Sequence, residues 1–107
     1  MSETISPMEL QACLVQERPI KVLDVRRKMD YEAEPDLIPG AVWHNPEEVD
    51  SWGSELTPDN EVVIYCARGG SVSKSVLTAL RAKNLPVRYV EGGLAGWRNS
   101  GGEVVRQ

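Results

Sequence analysis

Three short apolar runs recur along this chain: IKVLDV from Ile20 to Val25, EVVIYC from Glu61 to Cys66, and VRYV from Val87 to Val90. Runs of this length, bounded by charged or turn residues, read as buried strands. The stretches between them are patterned as helices. Strands that alternate with helices are returned parallel to one another by each crossover, and the resulting sheet must be covered on both sides. The expected fold class is therefore α/β, a parallel sheet flanked by helices on both faces. No repeat or low-complexity segment interrupts the alternation. A length of 107 residues suits one compact domain, so residues 1–107 are read as a single domain.

The connecting stretches carry their own punctuation. In ISPMELQACLVQ a short strand ends and a helix begins, with Ser6 as N-cap, Pro7 in the first turn and Glu9 completing a capping box. Leu10, Cys13 and Leu14 share one face of that helix, which makes Cys13 a small core residue. MDYEAEPDLIPGAVWHNP, with Pro35, Pro39, Gly40 and Pro46, reads as mostly loop, with one helical turn near Tyr31 and a short strand at Ala41–Trp43. PEEVDSWGS offers a brief helix capped by Asn45 and stopping near Gly53. After Gly69 and Gly70, residues Val72, Val76, Ala79 and Leu80 fall on one stripe of a helix running to about Lys83, closed by Asn84 and Leu85-Pro86. EGGLAGWRNSG reads as a glycine-led helical turn closed by Gly101-Gly102.

Composition narrows the function classes. An apolar fraction of 41% and a charged fraction of 26% are those of a globular protein, and with no Phe the core must rest on Val, Leu, Ile, Ala, Trp and Tyr. The net charge of −4 counts against nucleic acid or anionic membrane as the main partner. No Lys or Arg falls between Lys28 and Arg68, whereas acidic residues run from Asp30 to Glu61, a pattern expected of a solvated acidic face. No apolar run approaches the ~18 residues that span a bilayer. MSETISPMELQ lacks the basic start and apolar core of a secretion signal, so a cytoplasmic setting is expected. Two cysteines, Cys13 and Cys66, and the single His44 make neither a disulfide framework nor a structural zinc site.

In open parallel sheets, ligands sit beyond the C-terminal ends of the strands. Cys66 at the end of EVVIYC and Asp24–Arg26 at the end of IKVLDV therefore share one rim. Gly69 and Gly70 let the backbone curl so that successive N–H groups can face the sulfur, and the helix beginning near Ser71 adds unpaired N–H groups and the positive end of its dipole. Arg68 adds a full positive charge at the loop rim. Such a cradle suits an anion at the sulfur: a thiolate, a persulfide or an incoming oxyanion. From this loop alone two readings stay open, a nucleophilic thiol or a small strand-end residue in a glycine turn.

VLDVR, then IPGAV, then VVIYC with its glycine loop, then YVEGGLAGW stand in the order and spacing of the rhodanese-like sulfurtransferases, and over Ile20 to Gly102 the chain resembles that family. The resemblance implies a single rhodanese domain with a five-stranded parallel sheet and with Cys66 as the sulfur carrier. It also implies a reaction in which a sulfane sulfur from thiosulfate, a mercaptan or a persulfide passes through Cys66 to cyanide or a thiol, a protein thiol included. Neither a metal nor an organic cofactor is required. The substrate-binding loop is then Cys66-Ala67-Arg68-Gly69-Gly70-Ser71-Val72, with Asp24 and Arg26 supporting the rim through a buried ion pair and backbone hydrogen bonds. Arg68 and Ser71 match the basic and hydroxyl residues of thiosulfate-using members, while Asp30 stands where the two-domain thiosulfate enzymes carry a second donor-binding arginine. Leu37 replaces a His that commonly precedes IPGA. Glu91, Gly92, Gly93 and Trp97 are expected to be architectural, and His44 a loop residue.

Two other functions compete. A cysteine phosphatase of the same fold needs an Arg six residues after the nucleophile, where this chain has Val72, and Tyr65 rather than His precedes the cysteine. A persulfide-carrying or partner-binding module with negligible thiosulfate turnover is the alternative from another class.

Overall fold

The computed structural model describes residues 3–68 and 70–106. Strand β1 (Thr4–Ile5) leads into helix α1 (Pro7–Val15), β2 (Ile20–Asp24), α2 (Lys28–Ala33), β3 (Asp36–Leu37) and β4 (Val42–Trp43). A 3-10 turn (Pro46–Glu48) precedes α3 (Val49–Gly53), followed by β5 (Glu61–Tyr65), α4 (Ser71–Arg81), β6 (Val87–Val90), α5 (Gly93–Asn99) and β7 (Val105–Arg106). A five-stranded sheet runs in the order β1-β6-β5-β2-β4, with each pair parallel. The expected α/β class and its five parallel strands are what the chain forms.

β5 lies at the centre of the sheet, paired with β2 from Ile20↔Glu61 to Asp24↔Tyr65 and with β6 from Val62↔Val87 to Ile64↔Tyr89. Alternation along β5 divides the core. Val63 and Tyr65 pack with Leu10 and Cys13 of α1 and with Leu94 and Trp97 of α5. Val62 and Ile64 pack on the other side with Trp52 of α3 and with Val76, Leu77 and Leu80 of α4. A strand covered on both faces has no solvated side, which is why β5 is apolar from Val62 to Tyr65. Cys13 is a buried core residue. The α1 capping box is closed by both of its bonds, Glu9 N–H to Ser6 Oγ at 3.1 Å and Ser6 N–H to Glu9 Oε1 at 3.0 Å.

Some local expectations shift. The turn near Tyr31 is a full short helix, α2, whose Tyr31 ring stacks on Trp43 of β4 with centroids 4.7 Å apart. α4 ends at Arg81 rather than about Lys83, and its buried stripe is Ser73, Val76, Leu77 and Leu80. This is the i, i+3, i+4, i+7 pattern of a packed helix, and Val72 lies one step off it, half-buried at the rim. β3 and β7 form a separate antiparallel pair, Asp36↔Arg106 and Leu37↔Val105. Arg98 and Arg106 both reach the Asp36 carboxylate there, at 3.0 and 3.4 Å. Two-residue strands so far apart in the chain leave no periodic trace.

Candidate active site

The end of β5 delivers Cys66 to the C-terminal rim, where Val25 N–H donates to Tyr65 O at 2.8 Å and extends the β2–β5 ladder by one residue. The next two carbonyls are taken by another element. Leu94 N–H donates to Cys66 O at 2.8 Å and Ala95 N–H to Ala67 O at 3.0 Å. These are first-turn amides of α5, which have no partner inside their own helix. In a trans peptide the C=O and N–H point in opposite directions. Tying these two carbonyls to α5 therefore turns the amides of Ala67 and Arg68 away from it. Gly70 is the N-cap of α4 and provides no side-chain cap, so the amides of Ser71 and Val72 open into the loop as well. Among the described residues no acceptor takes the N–H of Ala67, Arg68, Gly70, Ser71 or Val72. Gly69, expected to belong to this loop, lies outside the described residues.

α5 can sit so close because of glycine. Gly92 has φ +74°, and a Cβ on Gly96 would meet Glu91 O at 2.6 Å. Glu91 accepts a hydrogen bond from Thr4 Oγ1 at 2.9 Å, and Trp97 donates its indole N–H to Glu103 O at 2.7 Å.

Asp24 and Arg26 form an ion pair at 2.7 Å in which the side chains are 0% and 2% exposed. The Asp24 carboxylate accepts from Arg26 Nε at 2.8 Å and from the Arg26 backbone N–H at 2.9 Å. Arg26 in turn donates to Glu34 O at 2.7 Å and Asp36 O at 3.0 Å, so one guanidinium ties the end of β2 to the segment that follows α2. Burial pushes the Asp24 carboxyl above its ordinary range, against the hydrogen bonds and charge of Arg26. Burial also opposes the Arg26 charge, but the hydrogen bonds and charge of Asp24 outweigh it and hold the guanidinium above its ordinary range. The Tyr65 hydroxyl accepts from Ile38 N–H at 3.2 Å. Burial, with the Asp24 charge beside it, keeps this phenol protonated far beyond its ordinary range. Tyr65 thus braces the floor beneath the loop, a role that the sequence does not signal.

Above this floor opens a cleft of about 330 Å3, lined by Cys66, Ala67, Arg68, Gly70, Ser71 and Val72 together with Arg26, Arg27 and Asp30. All the described loop residues read from the sequence converge here, while Asp24 lies behind Arg26 and does not line the cleft. Cys66 is 5% exposed and lines this cleft. Arg68 is exposed and also borders a second groove beside α5, with Glu34 and Arg98. Arg27 was not singled out from the sequence, although the Arg26-Arg27-Lys28 run directly after β2 was available as a signal. His44 stands away from the thiol. It borders a groove along β2 and β4 with Lys21 and Glu55, and its ring lies 4.9 Å from that of Trp52. Among the described residues no cluster of three or more His, Cys, Asp and Glu side chains could hold a metal ion. Nor, among them, is any helix long and apolar enough to cross a membrane.

Chemically the arrangement is a thiol lining an open cleft together with loop amides and three guanidinium side chains. Comparison with known proteins points the same way. A family model for the rhodanese-like domain matches residues 6–100. The fold is similar to a rhodanese-like domain from Anabaena sp. (28% identity, 100% of this chain and 81% of that one, TM-score 0.81). It is also similar to a rhodanese-like domain protein from Staphylococcus aureus (26% identity, 96% and 97% covered, TM-score 0.80). A protein of unknown function from Rhodopseudomonas palustris, described as a possible tyrosine phosphatase, is alike at 25% identity (97% and 85% covered, TM-score 0.81). No curated protein matches the chain.

Proposed function

The chain belongs to the rhodanese-like domain family, and from that premise we propose that it is a sulfurtransferase whose residues 1–107 act as one domain and whose Cys66 carries the sulfur. The observation that carries this reading is the convergence in one open cleft of Cys66, loop amides that meet no acceptor among the described residues, and the cations Arg27 and Arg68. In the first step the Cys66 thiolate attacks the outer sulfur of thiosulfate. A new S–S bond forms, the donor S–S bond breaks, and its electron pair leaves with sulfite; Cys66 is left as a persulfide anion. In the second step cyanide or a thiolate attacks the outer sulfur, and the pair of that S–S bond returns to Cys66 as thiolate. Charge and electrons balance in both steps. Negative charge develops inside the loop each time, where the amides of Ala67, Arg68, Ser71 and Val72 are already oriented, so little reorganisation is needed. Asp24 and Arg26 support the rim from below and do not exchange a proton with the substrate.

The phosphatase reading has less support: Val72 occupies the position where that chemistry requires an arginine, and Val72 is among the residues lining the cleft. The test is intact-mass measurement after incubation with thiosulfate. Wild type should gain one sulfur atom, lose it on adding cyanide, and Cys66→Ser should gain none. If wild type gains no sulfur from thiosulfate, mercaptopyruvate or a persulfide donor, the enzyme reading fails and a partner-binding module takes its place.

A further inference from the structure

Arg27 stands at the junction of the Cys66 cleft with a neighbouring groove floored by Pro46, Ser75 and Val76. It is the N-cap residue of α2 (φ −59°, ψ 149°), where its guanidinium, having only donors, takes no part in capping. Among the described residues it has no ion-pair partner, and neither does Arg68. Arg26, the third guanidinium at this cleft, is committed to Asp24, Glu34 O and Asp36 O and has no charge to spare. Among the described residues the cleft thus carries two cations without an ion-pair partner, one after β2 and one after β5. One uncommitted carboxylate joins them: Asp30, in the first turn of α2, also lines the cleft and also lacks an ion-pair partner among the described residues.

We propose that Arg27 is the second cation that, with Arg68, holds an anionic sulfur donor over Cys66, and that Asp30 is the opposing charge that limits how tightly a dianion is held. This rests on the reading of Cys66 as sulfur carrier. It assigns to Arg27 the donor-binding task for which position 30 has the wrong sign. A charge at a cleft mouth acts on a charged ligand and not on a neutral one, and its effect is screened by salt. Neutralising Arg27 and neutralising Asp30 must therefore shift affinity in opposite directions.

Thiosulfate affinity is measured by calorimetric titration on Cys66→Ala protein, which cannot turn over. Adding Arg27→Gln should weaken binding about tenfold at ~0.05 M salt, adding Asp30→Asn should tighten it about threefold, and both differences should shrink towards zero at ~0.5 M salt. In protein that retains Cys66, Arg27→Gln should slow sulfur loading by thiosulfate by a similar factor. Modification of Cys66 by neutral methyl methanethiosulfonate should change less than about twofold. A thiosulfate affinity unchanged by Arg27→Gln, or undetectable with Arg27 present, or an equal loss with the neutral reagent, overturns the assignment. Failure of every donor to load Cys66 would instead overturn the sulfurtransferase reading, while the titration still decides Arg27.

Discussion

Removing the guanidinium of Arg26 is the most informative perturbation of the scaffold under the site. In Arg26→Ala the Asp24 carboxylate, 0% exposed, loses its 2.7 Å partner, and the carbonyls of Glu34 and Asp36 lose donors at 2.7 and 3.0 Å. Breaking a buried pair from one side costs about 3–5 kcal/mol, because an uncompensated charge stays behind. Each lost hydrogen bond to a partly buried carbonyl adds up to about 1 kcal/mol, without strict additivity. Against a typical domain stability of about 5–15 kcal/mol this is a large fraction. With a urea m-value of about 2 kcal/mol/M, the unfolding midpoint should fall by roughly 2 M. Adding Asp24→Asn should recover at least about 1 kcal/mol, since the buried charge is then gone. The deficit of the single variant should also depend on pH. Burial raises the Asp24 carboxyl, so the native state takes up a proton more readily than the unfolded chain, and the penalty is full at neutral pH and relaxes as pH falls through the raised value. A midpoint shift below about 0.5 M, or strict additivity of the two substitutions, would refute the reasoning.

Further outcomes follow from other sites. Burial lowers the His44 imidazole below its ordinary range, with the Lys21 charge acting in the same sense and Glu55 opposing. The native state therefore binds a proton less readily than the unfolded chain, and stability should be lost as pH falls from about 7.5 to 5.5. His44→Asn should flatten that slope in denaturant titrations, and an unaltered slope would contradict the assignment. Gly96→Ala brings a methyl group within 2.6 Å of Glu91 O. It should cost about 1–3 kcal/mol, read as a melting point lower by roughly 5–15 °C. Because α5 supplies the amides that tie down Cys66 O and Ala67 O, the same variant should also slow sulfur loading of Cys66 at temperatures where it remains folded, as measured by intact mass.

Legible in the sequence are the strands, read as Ile20–Val25, Glu61–Cys66 and Val87–Val90 and formed by Ile20–Asp24, Glu61–Tyr65 and Val87–Val90, together with the box-capped first helix and the delivery of Cys66 and Asp24–Arg26 to one rim. Each of these rests on periodicity, capping chemistry or strand alternation, which are relations between near neighbours in the chain. The α5 amides that hold the loop carbonyls, the Tyr65 hydroxyl that accepts from Ile38 N–H, and the place of Arg27 among the residues lining the Cys66 cleft emerge only from the folded arrangement. The pairing of β3 with β7 is of the same kind. These features join residues that are brought together by the strand order β1-β6-β5-β2-β4 rather than by their spacing. The buried Asp24–Arg26 pair is legible in VLDVR, whereas the Glu34 and Asp36 carbonyls that complete its hydrogen bonding come from a segment that reads as loop, because no local pattern encodes which carbonyls the closed fold sets around a guanidinium.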